Sequence, residues 1–91
     1  MAVDALVAEV KKGLGIPLAV TAHDDTLNIK VRAVKSYLTG AGVSEAMLAD
    51  DLGIAAVVVG TNDLWNLAPG EIKFSPAFVW MVEQLALRSL E

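Results

Sequence analysis

The sequence predicts an all-α fold, in which about four helices form a small bundle within a single domain covering residues 1–91. Along most of the chain, apolar residues recur at steps of three and four, the period of one helix face. Start and stop signals separate these stretches, of which the clearest is Ser75 followed by Pro76. A chain of 91 residues also has the length of one domain rather than two.

The first predicted helix covers residues 3–14 and ends at Gly13, Gly15 and Pro17. The second is predicted to begin at Thr21, whose hydroxyl is placed to cap a helix with Asp24 three residues later. It runs to residue 38, and the glycines at 40 and 42 follow it. These two helices would form one half of the domain.

The third predicted helix starts at Ser44 and runs toward Leu67. Its middle, residues 54–59, is rich in β-branched side chains, so a buried strand is the alternative there. The length of the apolar stretch favours a helix. Pro69-Gly70 then predicts either a loop or a short β-hairpin before residue 75. The last helix begins at Ser75-Pro76, an N-cap followed by a first-turn proline, and continues to the end.

Composition narrows the class of function. The net charge is −4, and the chain holds seven cations against eleven acids. This balance argues against a grip on phosphate backbones or anionic lipid, which requires clustered Lys and Arg. The longest apolar window, residues 54–59, is far too short to span a membrane. A mean hydropathy of +0.55 is high for so small a domain, and it predicts apolar contact with other chains.

The residue types needed for catalysis are scarce. The cluster His23-Asp24-Asp25 contains the only histidine, and further metal ligands are missing from the sequence around it. Capping of a helix start is the preferred interpretation of that cluster. Asp50, Asp51 and Asp63 have no basic partner nearby for acid–base work, so we interpret them as solvated positions or subunit contacts. We therefore expect no catalytic residue, no cofactor and no metal site.

Two predicted helices carry more apolar surface than one core needs. On the last helix, Trp80 and Leu87 lie seven residues apart on the polar side. On the second helix, Ile29, Ala33 and Tyr37 form a second stripe beside the core stripe. We interpret these five residues as a candidate subunit interface. The core face expected for the last helix comprises Phe78, Met81, Val82, Leu85, Ala86 and Leu90.

Residues 44–60 have the spacing of a helix-turn-helix, with Gly53 at the turn. A DNA-reading helix after that turn would present basic or amide side chains to base edges. Here the positions hold alanine, valine and glycine. Gly53, Ala56 and Gly60 instead predict a stripe of small residues that lets another helix approach closely. We therefore expect no specific binding to nucleic acid.

The motifs VKSYLTGAGVSEAMLADDLGI, TNDLW and GEIKFSP, followed by an apolar terminal helix, give the chain a family resemblance. It resembles the small head-tail connector, or head-completion, proteins of tailed bacteriophages and prophages. The resemblance covers roughly residues 10–88. Its framework positions here are Tyr37, Leu52, Gly53, Asn62, Asp63, Leu64, Trp65, Phe74, Ser75, Pro76 and Leu85.

The resemblance implies a small helical protein without enzyme activity or cofactor. Such a protein forms a cyclic homo-oligomer around the DNA tunnel, docks on the portal protein and meets a neighbouring connector or tail protein. Its expected location is the head-tail interface of the virion, and the host cytoplasm during assembly. A small prophage regulatory protein, binding DNA or a partner through the helix-turn-helix-like segment, is the alternative function.

Overall fold

The computed structural model describes residues 3–66 and 74–90. Within these two ranges the chain is helical and contains no strand, which confirms the all-α class. The predicted loop or hairpin falls mostly on residues 67–73, outside the described residues. The helices are α1 (Val3–Leu14), α2 (Asp24–Gly40), α3 (Glu45–Leu48), α4 (Asp51–Trp65) and α5 (Pro76–Arg88).

Helix α4 is the centre of the bundle and contacts each of the other helices. Residues 54–59 lie within it, so the helix preferred for this β-branched stretch is confirmed. A helix of this length brings its apolar side chains into contact with the other four helices, which a short strand would not reach. The buried apolar core comprises Leu6, Val7, Val10, Leu27, Val31, Val34, Leu38, Val43, Leu48, Ala56, Val57, Phe78, Val82 and Leu85.

The small-residue stripe of α4 has the role that its spacing predicts. A Cβ atom on Gly53 would overlap the carbonyl oxygen of Met47 and lie 2.9 Å from Leu48 Cα. A Cβ atom on Gly60 would lie 2.6 Å from Cε2 of Phe78 and 2.9 Å from Cγ1 of Val34. The absence of side chains at these two glycines therefore lets α3, α2 and α5 approach the central helix.

The long third helix predicted from Ser44 is wrong, because it is divided into α3 and α4. Ser44 does cap α3, since its side chain accepts a hydrogen bond from Met47 N at 3.2 Å. The chain then leaves the helix, and the Asp50 carboxylate caps α4 by accepting from Leu52 N at 3.3 Å. The sequence interpretation of Asp50 as a solvated position or subunit contact missed this capping role at the new helix start.

The capping box predicted at Thr21 is also wrong. Helix α2 begins at Asp24, and the preceding residue His23 makes no side-chain capping hydrogen bond. The Asp24 carboxylate instead pairs with the buried Lys11, whose Nζ lies 2.9 Å away. Lys11 Nζ also donates to the carbonyl oxygens of Leu18 at 3.0 Å and Val20 at 2.6 Å. This buried lysine therefore fixes the α1–α2 loop.

Thr61 is the buried polar side chain that the described residues leave unsatisfied. It is fully buried in α4, and its hydroxyl has no hydrogen-bond partner there. Thr61→Val keeps the shape and removes the unpaired hydroxyl, so we expect the free energy of unfolding to rise by about 1 kcal/mol. Urea denaturation measures this. Thr39→Val is the control, because it replaces a threonine whose exposed hydroxyl does have a partner, the Lys35 carbonyl. A loss of stability in Thr61→Val would contradict the assignment of an unpaired buried hydroxyl.

Candidate functional site

Helix α5 is apolar on two sides. Its inner side buries Phe78, Val82 and Leu85 against the core. Its outer side leaves Trp80 59% exposed and Leu87 61% exposed. Their predicted position away from the core is therefore confirmed, while their role in a subunit interface stays a prediction.

The exposed apolar residues of this helix form one surface with a single charge in it. Helical steps of three and four residues place Val79, Trp80, Glu83 and Leu87 along one side of α5, and the exposed Leu90 lies beside Glu83 and Leu87 in the turn that follows the helix. We call these five residues the α5 outer face. The other members surround Glu83, which is itself exposed. An apolar side of this kind on a helix with a complete core face is typical of a docking surface.

Leu90 belongs to this outer face, so its predicted place in the core is wrong. Its side chain is 84% exposed. The last helical residue of α5 is Arg88, and the chain turns at the next two positions. The helical period used for the prediction therefore no longer applies at Leu90.

The start of α5 is fixed by hydrogen bonds to α4. The backbone N–H and the hydroxyl of Ser75 both donate to Asp63 Oδ2, at 2.9 and 2.8 Å. The Ser75 hydroxyl oxygen in turn accepts from Phe78 N at 3.3 Å, and Pro76 occupies the first helical turn. Asp63, Ser75 and Pro76 were framework positions of the family resemblance. The structure brings them together at one end of the candidate surface.

The other end of α5 is fixed by a pair of serines that the sequence did not reveal. The Ser89 hydroxyl oxygen accepts from Ser44 N at 2.9 Å, and the hydroxyl donates to the Leu85 carbonyl at 2.8 Å. Serines 45 positions apart carry no local pattern, so only the fold relates them. With both ends held, the α5 outer face is presented on a fixed helix, which lowers the ordering cost of binding.

Tyr37 packs against core side chains and is also exposed at the surface. Its ring packs against Phe74 and Phe78, with centroids 5.0 and 5.9 Å away, and the two phenylalanine rings lie 4.3 Å apart. The side chain nevertheless remains 48% exposed. Only this exposed part is open to a partner.

Three further framework positions make structural contacts in the described residues. Gly53 allows the contact between α3 and α4. The backbone carbonyl oxygen of Asn62 accepts from Asn66 Nδ2 at 2.9 Å, near the end of α4. Trp65 meets His23 edge-on, with ring centroids 5.4 Å apart, so it connects the end of α4 to the start of α2. None of these three contacts involves catalytic chemistry.

A second exposed surface lies on α2. Ile29 is 61% exposed and Ala33 lies one turn further along the same side. Each residue of a helix is rotated by about 100° from the one before it. Lys30 and Arg32 therefore lie on either side of this stripe. We call Ile29, Lys30, Arg32 and Ala33 the α2 outer face. Both charged residues of this face are basic, and the nearest acid along the helix is the exposed Asp25, one turn before Ile29.

An open apolar cleft of about 510 Å³ adjoins the α5 outer face. It lies where the turn after α2 passes the second half of α5. Its lining is Ala41, Gly42, Glu83, Ala86, Leu87 and Leu90. Three of these residues belong to the α5 outer face, so the cleft extends that surface toward α2.

An acidic cleft of about 240 Å³ contains Asp4, Asp24 and Asp25. Asp24 is already paired with Lys11. Across residues 3–66 and 74–90, no group of three or more His, Cys, Asp or Glu side chains is arranged to hold a metal ion.

None of the helices in these ranges combines the length and the hydropathy needed to cross a membrane.

Comparison of the chain with protein-family models, curated proteins and solved structures gave no match. The resemblance to head-tail connectors therefore rests on the sequence motifs. The structure gives those motifs a physical role, because TNDLW and FSP meet through Asp63 and Ser75 and orient α5.

Proposed function

We propose that this protein is a structural assembly subunit, a head-tail connector of a tailed phage or prophage. In this role it forms a ring between portal and tail around the DNA tunnel, and it catalyses no reaction. The observation that carries the proposal is the α5 outer face. Trp80 and Leu87 are exposed on a helix whose core side is already filled and whose two ends are hydrogen-bonded.

The charge of the chain supports the same role. A wall around a DNA tunnel must let phosphates pass, and a surface that attracted them would slow the passage. The net charge of −4 suits such a wall. Lys30 and Arg32 both lie on α2, so over the rest of the chain the acidic residues outnumber the basic residues.

A regulatory protein that reads DNA through α4 is the second candidate, and we rank it lower. In a helix-turn-helix the second helix must enter the major groove. Here α4 is packed among α1, α2, α3 and α5, and its exposed first residue is the acidic Asp51. Sub-micromolar, sequence-dependent binding to a DNA duplex at low salt would favour the regulatory function instead.

The variants Trp80→Ala and Leu87→Asp test the proposed surface. We expect both to weaken oligomerisation or portal docking, and Trp80→Ala to do so by at least about 2 kcal/mol, roughly thirty-fold in Kd, because a central Trp anchor is lost. Both side chains are exposed, so the helical content and the unfolding midpoint should stay close to those of the wild type. Co-sedimentation with the portal protein encoded in the same genome, beside circular dichroism, measures the two properties.

Arg88→Ala is the matched control for these variants. Arg88 is exposed on the same helix but lies about a quarter turn from the Trp80 and Leu87 line, so docking should be unchanged. If Trp80→Ala and Leu87→Asp unfold the monomer, these residues belong to the core. If both variants fold and dock like the wild type, the α5 outer face does not carry assembly.

A further inference from the structure

Glu83 decides how the α5 outer face can pair. It is exposed in the middle of Val79, Trp80, Leu87 and Leu90, and this face contains no cation. In a two-fold contact the same patch meets itself, so two copies of Glu83 would approach each other among apolar side chains. Like charges placed together in a desolvated contact are unfavourable. The α5 outer face therefore requires a partner surface that is apolar but carries positive charge.

The α2 outer face has this composition. Ile29 and Ala33 form its apolar centre, and Lys30 and Arg32 flank them. Arg32 is exposed and Lys30 is partly exposed, and the nearest acid along the helix is Asp25, one turn before Ile29. The two faces are therefore complementary in hydropathy and in charge.

One subunit cannot join its own two faces. The α5 outer face borders the cleft beside Ala41 and Gly42, at the end of α2. Ile29 lies twelve residues earlier on that helix, a distance of about 18 Å along its axis. Both faces are fixed parts of the same bundle. A contact between them must come from a second copy of the chain.

We propose that the α5 outer face of one copy docks on the α2 outer face of the next, with Glu83 paired to Arg32 and Lys30. The contact is head-to-tail, so it repeats from copy to copy and closes into a ring when the rotation permits. This inference rests on the proposed function in one respect, because it assigns the subunit contact of the connector ring. Because the α5 outer face then joins the subunits to each other, the Trp80 and Leu87 variants would weaken portal docking by loosening the ring.

Glu83→Gln distinguishes the head-to-tail contact from a two-fold contact, because it should change self-association in opposite directions in the two cases. The head-to-tail contact loses a charge pair, so we expect self-association of the full chain to weaken about tenfold. A two-fold contact of α5 with itself loses a repulsion, so its self-association would strengthen. Sedimentation equilibrium up to millimolar protein measures the constant. Glu45→Gln is the control, because it makes the same charge change at an exposed acid on neither face.

Charge reversal identifies the partner residue. Glu83→Lys and Arg32→Glu should each weaken self-association more than Glu83→Gln does, and the double variant should recover most of the loss. A double variant no better than the single variants overturns the proposed pairing, and so does stronger association of Glu83→Gln. A wild-type chain that stays monomeric at millimolar concentration also overturns it, whereas portal docking that persists in that case would leave the proposed function standing.

Discussion

Gly53→Ala is expected to lower the free energy of unfolding by roughly 3 kcal/mol, because a Cβ atom there would overlap the backbone of α3. The nearest atoms are the Met47 carbonyl oxygen and, at 2.9 Å, Leu48 Cα. Backbone atoms cannot move aside as the end of a flexible side chain can. Helix propensity alone predicts the opposite sign, since alanine is favoured over glycine inside a helix by about 1 kcal/mol.

Gly40→Ala is the control for this prediction. Gly40 ends α2, and a Cβ atom there would meet nothing within 4 Å. We expect this variant to gain up to about 1 kcal/mol or to remain neutral. Urea denaturation of both variants gives the comparison. Equal stability of Gly53→Ala and Gly40→Ala would show that the close approach of α3 to α4 does not hold.

Lys11→Met is expected to destabilise the fold by roughly 3 kcal/mol, because it removes a buried ammonium group that makes three polar contacts. Methionine keeps the apolar stem of the side chain but leaves the carbonyl oxygens of Leu18 and Val20 without this donor. It also breaks the ion pair with Asp24. The measured quantity is the free energy of unfolding from chemical denaturation.

The next residue along the chain provides the matched comparison. Lys12 is exposed, and its pair with Glu9 is long, at 3.4 Å. Exposed pairs of this kind contribute at most about 1 kcal/mol, so Lys12→Met should change stability little. A loss in Lys11→Met no greater than that in Lys12→Met would mean that Lys11 does not fix the α1–α2 loop.

The elements predicted well are those whose signals are local. The stripe of α1 and the Ser75-Pro76 start of α5 depend on residues within one or two turns, and their boundaries agree with the structure. The contact role of the small residues Gly53 and Gly60 also followed from spacing alone. The exposure of Trp80 and Leu87 followed from the helical period, because α5 is regular through both positions.

The features missed depend on contacts between distant residues. Lys11 resembles an ordinary solvated lysine in the sequence, yet the fold buries it against the loop that follows α1. Helix α2 starts at Asp24, the residue that pairs with Lys11, and not at Thr21. The Ser44–Ser89 hydrogen bond joins residues that no helical or strand period relates. The break between α3 and α4 is a local event, but the apolar pattern continues across it and conceals it.

Native mass spectrometry of the wild-type chain mixed with the portal protein from its own genome tests the central claim most directly. The claim is that the protein is an assembly subunit that depends on the α5 outer face to assemble on the portal. We expect a complex that carries many copies of the chain on each portal ring, and its loss when Trp80 is replaced by alanine. A portal ring whose mass is unchanged by the wild-type chain, at concentrations where the chain is folded, would contradict the account.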